Sequence, residues 1–341
     1  MQGIHTEFDG LPDDGGTMAV ADGVSWLRMP LPFRLNHINL WLLRNDGDCV
    51  IVDTGMGTKD CRDTWDDVFA GELKSSTVSA VVVTHMHPDH AGCAAWLVDR
   101  LATDLWMTRQ EYLMCRVLLT DTNADVPEPA LHFYHAAGFS AEQLETYKAH
   151  FGMFGKFVPG MPRSYRRLQD RDRPDFDGGA WEVVIGRGHS PEHACLFDAE
   201  RNIVISGDQL LPTISPNVSV WPTEPQANPL GDFFASLDTL EARLPEDVLV
   251  LPAHGAPFRG AHARLEALRK EHTDKLDVLL ENSREPRRVV DTFGDLFGRA
   301  IDDRNRVMAT GEALAHLHYL VANGDMVADV DDDHVTWFRR R

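Results

Sequence analysis

One stretch of this chain, residues 78–92, constrains the fold more than any other because it joins an apolar run to a cluster of histidines. The run V-S-A-V-V-V is rich in β-branched residues and predicts a buried strand. Directly after it, the sequence T-H-M-H-P-D-H-A-G places four potential metal ligands within six residues. These ligands are His85, His87, Asp89 and His90.

The four side chains lie on two kinds of backbone. His85 and His87 project to one side of an extended segment, whereas Asp89 and His90 fall in the first turn of a helix that starts at Pro88 and continues through Val98. Ligands divided in this way do not all reach one ion comfortably. The sequence therefore predicts two adjacent metal ions, one held by the first pair and the other by the second.

Three later apolar runs also lead to candidate ligands. Each run is followed within a few residues by a histidine or an aspartate: 181–185 by His189, 202–205 by Asp208 and 248–251 by His254. A single loop histidine or aspartate is common. Because several strands of one chain end in this way, we expect these residues to gather at the carboxyl edge of a layered α/β fold, where sites form.

The rest of the chain up to residue 257 also divides into strands and helices. We expect strands at residues 20–29, 38–43 and 49–52, and helices at residues 60–74, 109–154 and 230–244. The sequence N-D-G-D at residues 45–48 separates two apolar runs and predicts a hairpin. Residues 212–228 are rich in proline, and their position soon after Asp208 predicts that they run along the rim of a pocket.

The box T-H-x-H-x-D-H at residues 84–90 resembles the signature of the metallo-β-lactamase-fold hydrolases, the superfamily that includes glyoxalase II. Four further segments match that family in order: I-V-D-T-G at 51–55, G-H-S-P at 188–191, S-G-D at 206–208 and P-A-H-G at 252–255. The resemblance implies an α/β chain with a four-layer αββα catalytic domain over residues 1–257. It also implies that a helical insert at about 109–157 is placed as a cap over the metals.

The resemblance further implies a ligand set for two metal ions. His85, His87 and His189 would bind the first ion, and Asp89, His90 and His254 the second, while Asp208 and a hydroxide would bridge them. Asp89 would also orient this hydroxide, and Asp53 would orient the site from behind the ligands. Nitrogen and oxygen donors without a thiolate suit zinc, and the same set is compatible with iron or manganese.

These residues favour a dinuclear metal-dependent hydrolase of an ester, a thioester or a lactone, a small-molecule substrate. One alternative is a nuclease that cleaves RNA or DNA. Another is a mononuclear iron oxygenase that uses two of the histidines with Asp208, or a metal-dependent regulator. His132, His135 and His193 could contact a substrate, but a structural role is favoured for each, and the sequence does not identify the substrate-binding residues.

Composition limits the partners and the compartment. The net charge of −20 disfavours diffuse binding to nucleic acid or to anionic lipid. Five cysteines without a C-x-x-C pair indicate a reducing environment. Because the sequence contains neither a secretory signal nor an apolar run long enough to span a membrane, we expect a cytoplasmic protein.

Beyond residue 257 the pattern changes to helices followed by a hairpin over residues 326–338. Helices before a terminal hairpin resemble a winged-helix module, so residues 258–341 are interpreted as a small C-terminal winged-helix-like domain. Residues 259–341 contain 14 Lys and Arg against 16 Asp and Glu. The domain is therefore not basic, which favours a scaffold or a homo-oligomer contact over nucleic-acid binding.

Overall fold

A computed structural model describes residues 3–8 and 10–341. The strands are β1 (His5–Thr6), β2 (Thr17–Ala21), β3 (Val24–Pro30), β4 (His37–Asn45), β5 (Asp48–Val52), β6 (Thr77–Val82), β7 (Asp104–Thr108), β8 (Arg166–Leu168), β9 (Glu182–Gly186), β10 (His193–Asp198), β11 (Ile203–Gly207), β12 (Leu249–Pro252), β13 (Phe258–Arg259), β14 (Met326–Val330) and β15 (Thr336–Arg340). The helices are α1 (Lys59–Ala70), α2 (Pro88–Ala91), α3 (Ala94–Leu101), α4 (Arg109–Thr120), α5 (Glu128–Ala136), α6 (Ala141–His150), α7 (Phe154–Phe157), α8 (Pro229–Arg243), α9 (Ala261–Asn282), α10 (Phe293–Phe297) and α11 (Asp303–Ala322).

Most strands belong to two large sheets. One sheet has seven strands in the order β2-β3-β4-β5-β6-β7-β8, and the other has six in the order β1-β13-β12-β11-β10-β9. Strands β5 to β8 run parallel to one another, and so do β11 and β12. Parallel strands end at the same edge of a sheet, so the loops after them lie side by side.

Three apolar clusters hold the layers together. The first joins the two sheets and includes Trp26 and Trp41, whose ring centroids are 6.2 Å apart. The second covers the outer face of the seven-stranded sheet with α1 and α3, and the third covers the outer face of the six-stranded sheet with α8, α9 and α11. The layers thus follow the order helix, sheet, sheet, helix, which confirms the predicted αββα fold.

Two local predictions are wrong. Residues 20–29 form two strands rather than one, because a tight turn at Asp22-Gly23 separates β2 from β3. The helix that begins at Pro88 ends at Ala91, and α3 begins at Ala94. The interruption lies where the Gly92 backbone packs on another loop: a Cβ atom at Gly92 would lie 2.3 Å from the backbone nitrogen of Gly57.

The insert and the C-terminal region both contact the core. Residues 109–157 form α4 to α7, and the Ser140 and Gln143 side chains make a capping box at the start of α6. In the C-terminal region, α9 to α11 pack against α8, and β14 and β15 form the terminal hairpin. The winged-helix interpretation of this region stays a prediction. Within the described residues, no helix is both long and apolar enough to cross a membrane.

Candidate metal centre

The structure brings the predicted ligands together at one rim shared by both sheets. His85 follows β6 of the first sheet, and the later ligands follow β9, β11 and β12 of the second. The ligand atoms form two groups, within each of which they lie within 4.8 Å of one another. The first group is His85, His87, His189 and Asp208, and the second is Asp89, His90 and His254.

In the first group, three imidazoles point their ring nitrogens at one another. Nε2 of His85 lies 2.9 Å from Nδ1 of His87 and 3.3 Å from Nε2 of His189. The Oδ2 atom of Asp208 lies 3.4 Å from the same His189 nitrogen. Four polar atoms therefore surround one small space.

In the second group, Nε2 of His254 lies 3.3 Å from Oδ2 of Asp89. The Oδ1 atom of Asp208 lies 3.4 Å from this His254 nitrogen and 3.6 Å from Nε2 of His90. One oxygen of Asp208 thus faces each group.

Hydrogen bonds behind the ligands define which ring nitrogens face inward. Nδ1 of His189 lies 2.7 Å from the Asn217 carbonyl, and Nδ1 of His254 lies 3.0 Å from the His37 carbonyl. A carbonyl oxygen only accepts, so both Nδ1 atoms carry a proton, and Nε2 is the atom that each ring can offer to a cation at the centre. Nδ1 of His90 likewise lies 2.8 Å from the Asp53 carboxylate.

These residues fit a pair of divalent cations. Nε2 of His90 and Oδ1 of Asp208 are buried and have no hydrogen-bond partner among the described residues. A buried polar atom without a partner is destabilising by about 1–3 kcal/mol. Convergent lone pairs on neutral imidazoles also repel one another, so a cation between them satisfies the whole arrangement.

At two ligands, His87 and Asp208, the electrostatics of the metal-free protein favour the protonation state that binds a cation. Burial opposes protonation of His90 and of His254, but the nearby carboxylates raise the pKa of both, so a cation at the second group displaces a proton. Burial and neighbouring imidazoles lower the pKa of His87 to about 3, so its ring is neutral near pH 7. Burial acts to raise the pKa of Asp208, but the imidazoles of His254 and His90 hold it well below its usual range. The centre therefore offers at least one neutral nitrogen ligand and an ionised oxygen ligand.

Asp53 connects the end of β5 to the ligand loop. Its carboxylate accepts hydrogen bonds from the Thr84 backbone N–H at 2.8 Å and from the Thr84 hydroxyl at 2.9 Å, in addition to the bond from His90. The residue adopts a φ of 63°, in the left-handed region that aspartate and asparagine tolerate. Asp53 thus fixes both the loop and the ring of His90.

Glu111 is a site residue that the sequence did not indicate. It is fully buried in the first turn of α4. It accepts hydrogen bonds from the Met86 N–H at 2.9 Å and from the Ser190 hydroxyl and the Glu192 N–H at 2.7 Å each. Glu111 therefore ties the loop of His85 and His87 to the loop of His189, although a glutamate in a predicted helix carries no signal of this role.

The three histidines that the sequence disfavours as substrate contacts lie away from the cavity. His193 is fully buried behind His85, and its Nε2 accepts the Asp208 backbone N–H at 3.1 Å. His132 lies on the surface near Glu128, and His135 contacts the Asp333 carbonyl. None of the three lines the cavity beside the centre.

The C-terminal region reaches the centre through Asn217. The Asn217 amide donates to Glu312 of α11 at 3.2 Å, and Lys275 of α9 lies 3.2 Å from the other Glu312 oxygen. At Gly311 the helix approaches closely, since a Cβ atom there would lie 2.8 Å from the Ser219 side chain. The segment that orients His189 is thus held by two helices of the C-terminal region.

A cavity of about 830 Å³ opens beside the first ligand group. His87 and His189 form part of its wall. The insert contributes mainly apolar and aromatic side chains, and the proline-rich segment contributes Trp221 and Pro222. A concave, largely apolar space of this size next to convergent polar groups is typical of a small-molecule site.

A layered αββα fold with two buried imidazole and carboxylate groups at the rim of its sheets defines a metal-dependent hydrolase. The family model of the metallo-beta-lactamase superfamily matches residues 34–254, and the chain belongs to that superfamily. A second model, for the metallo-beta-lactamase-like C-terminal domain, matches residues 276–341.

Individual proteins support the same assignment. The chain is 25% identical over 307 residues to the probable metallo-hydrolase YqjP of Bacillus subtilis. These residues make up 87% of this chain and 91% of that protein. It is 25% identical over 201 residues to the acyl-coenzyme A thioesterase MBLAC2 of Homo sapiens, covering 56% of this chain and 64% of the human protein. A crystal structure of a beta-lactamase domain protein from Burkholderia ambifaria has a TM-score of 0.89 and 38% identity, covering 99% of this chain and 97% of that one.

Proposed function

We propose that the protein hydrolyses an acyl thioester, or a related ester or lactone, with two divalent cations at the centre, zinc being the first choice. The observation that carries this proposal is the position of Asp208, with one oxygen 3.4 Å from His189 and the other 3.4 Å from His254. A carboxylate shared between two ligand groups suits a pair of cations rather than a single one.

Each residue has a defined place in this proposal. His85, His87 and His189 hold one cation, Asp89, His90 and His254 hold the other, and Asp208 contacts both. When bound, the cations supply an activated water near neutral pH and polarise the carbonyl of the substrate. Donors without a thiolate favour zinc, and iron or manganese would fit the same atoms.

The chain itself positions the reactants. The cavity wall contains His87 and His189, so an acyl group in the cavity has its carbonyl beside the first ligand group. The Asp89 carboxylate is only partly buried and lies 3.3 Å from His254, where it can accept a hydrogen bond from the attacking water. The apolar walls limit the access of other water molecules.

Two observations favour an acyl thioester within this class. The cavity is lined by Met114, Leu118, Phe151 and Phe154 of the insert, side chains that suit an apolar acyl group. The similarity to a protein named acyl-coenzyme A thioesterase points to the same bond.

The test is turnover by the purified protein after reconstitution with zinc, on panels of acyl thioesters, esters and lactones and on RNA. We expect thioester hydrolysis, and a loss of at least about 100-fold in Asp208→Ala. Asp238→Asn, which alters an exposed carboxylate on α8, should keep full activity. Cleavage of RNA without hydrolysis of any acyl compound would overturn the proposal.

A further inference from the structure

The wall of the cavity contributed by the insert contains a polar cluster among mainly apolar side chains. The cluster consists of Tyr134 on α5, Tyr147 on α6 and Asp121 just after α4, and all three residues line the cavity. The rings of Tyr134 and Tyr147 have centroids 4.4 Å apart. We call these residues the Asp121–Tyr134–Tyr147 cluster.

The Tyr134 hydroxyl reaches the cavity from a side chain that is otherwise buried. Only 1% of the residue is exposed, and its hydroxyl has no hydrogen-bond partner among the described residues but is not one of the fully buried polar atoms. A phenol placed in this way offers a donor and an acceptor to the cavity. Because the side chain lines the cavity, a bound molecule can supply the hydrogen-bond partner.

The neighbouring groups complete a site that both donates and accepts. The Tyr147 hydroxyl and the Asp121 carboxylate also have no side-chain partner among the residues that the structure describes. Burial and the nearby Asp121 raise the pKa of Tyr147 to about 12, and burial raises the pKa of Tyr134, so both phenols stay protonated and can donate. Asp121 supplies an acceptor that no cation neutralises.

We propose that the Asp121–Tyr134–Tyr147 cluster is a specificity subsite for a hydroxyl group carried on the apolar acyl part of the substrate. The substrate hydroxyl accepts a hydrogen bond from Tyr134 and donates one to Asp121, so one small group satisfies both residues. This inference rests on the proposed function, because it places the acyl group of the hydrolysed substrate in the cavity.

The test compares matched N-acetylcysteamine thioesters, one series with alkanoyl chains of increasing length and one with the same chains ending in a hydroxyl. We expect kcat/KM of the zinc-loaded protein to favour the hydroxylated partner by about tenfold at the chain length that reaches the cluster. Tyr134→Phe and Asp121→Ala should abolish that preference. Tyr165→Phe, a matched loss of a phenol outside the cavity, should retain it.

The failure of this inference differs from the failure of the proposed function. Hydrolysis of both series with equal kcat/KM at every chain length, or an undiminished preference in Tyr134→Phe, would overturn the subsite and leave the thioesterase proposal intact. If neither series is hydrolysed, isothermal titration calorimetry compares the affinities of the free alkanoic and hydroxyalkanoic acids and tests the subsite without turnover. Tighter binding of the hydroxy acid that is lost in Tyr134→Phe supports the subsite, and equal binding overturns it.

Discussion

Replacing Asp53 with asparagine removes one charge behind the centre while preserving the size and shape of the side chain. Asparagine tolerates the φ of 63° at this position, so the backbone does not oppose the change. The wild-type carboxylate accepts from the Thr84 N–H with Oδ1 and from Nδ1 of His90 with Oδ2. In the variant, one of these acceptors becomes an NH₂ group.

If the amide oxygen stays on Thr84, its NH₂ group faces Nδ1 of His90, which must then give up its proton and accept. The proton of a neutral ring moves to Nε2, the atom that lies 3.6 Å from Asp208 and faces the second ligand group. That atom can no longer bind a cation. We therefore expect metal affinity at the second group to fall about 10–100-fold, and the lost charge-assisted hydrogen bond to lower the free energy of unfolding by about 1.5–3 kcal/mol.

Competition with a chromophoric zinc chelator measures the affinity, and urea unfolding of the metal-free protein measures the stability. Asp63→Asn is a matched control, because it removes the same charge from an exposed position on α1. Wild-type zinc affinity in Asp53→Asn, with two equivalents bound per chain, would refute the reasoning about the His90 tautomer.

Four further outcomes follow from the same contacts. Glu111→Ala leaves three buried donors without their acceptor, and urea unfolding should show a loss of about 3 kcal/mol; a loss below about 1 kcal/mol contradicts this. Glu312→Ala should weaken zinc binding about tenfold in the chelator assay, because Asn217, which holds His189, loses its hydrogen-bond acceptor. Glu312→Gln keeps an acceptor and should weaken zinc binding less; equal losses in the two variants would count against a role for the hydrogen bond between Asn217 and Glu312. Burial lowers the pKa of His316 from 6.5 to about 4, so the unfolded chain binds this proton more strongly between these values, and His316 alone should contribute a loss of roughly 3 kcal/mol to the stability of the metal-free protein as the pH drops through that window. Because the pKa values of His37 and His87 are also lowered, His316→Gln should reduce the slope in urea titrations without removing it. Chelation of the metal should lower Tm and added zinc should restore it, because the cations bind the folded state; an unchanged Tm would argue against a bound metal.

The fold and the ligand positions were accessible from the sequence because both depend on local patterns. Each apolar run that ends in a histidine or an aspartate predicts a strand and the loop after it, and β6, β9, β11 and β12 lie at those positions. The box at residues 84–90 also resembles the signature of the metallo-β-lactamase-fold hydrolases, and this resemblance predicted the αββα layers. The short helix of this box stops at Ala91, however, because the backbones of Gly57 and Gly92 meet there, a contact between residues far apart in sequence.

Apart from Asp53, which the family resemblance implied, the supporting residues could not be predicted, because their roles depend on contacts between distant segments. Glu111 lies in a helix, and its three donors come from two other loops. Glu312 contacts Asn217 across 95 residues of sequence. His193 is close in sequence to the ligand His189, but strand β10 places its ring behind His85 and away from the cavity.

The central claim is that two neighbouring ligand groups share the carboxylate of Asp208. Native mass spectrometry of the metal-free protein titrated with zinc tests it most directly, since it counts the ions on each folded chain. We expect two ions per chain at saturation and weakened binding of both in Asp208→Ala. Saturation at one ion per chain, or a variant that binds two ions as tightly as the wild type, would contradict the claim.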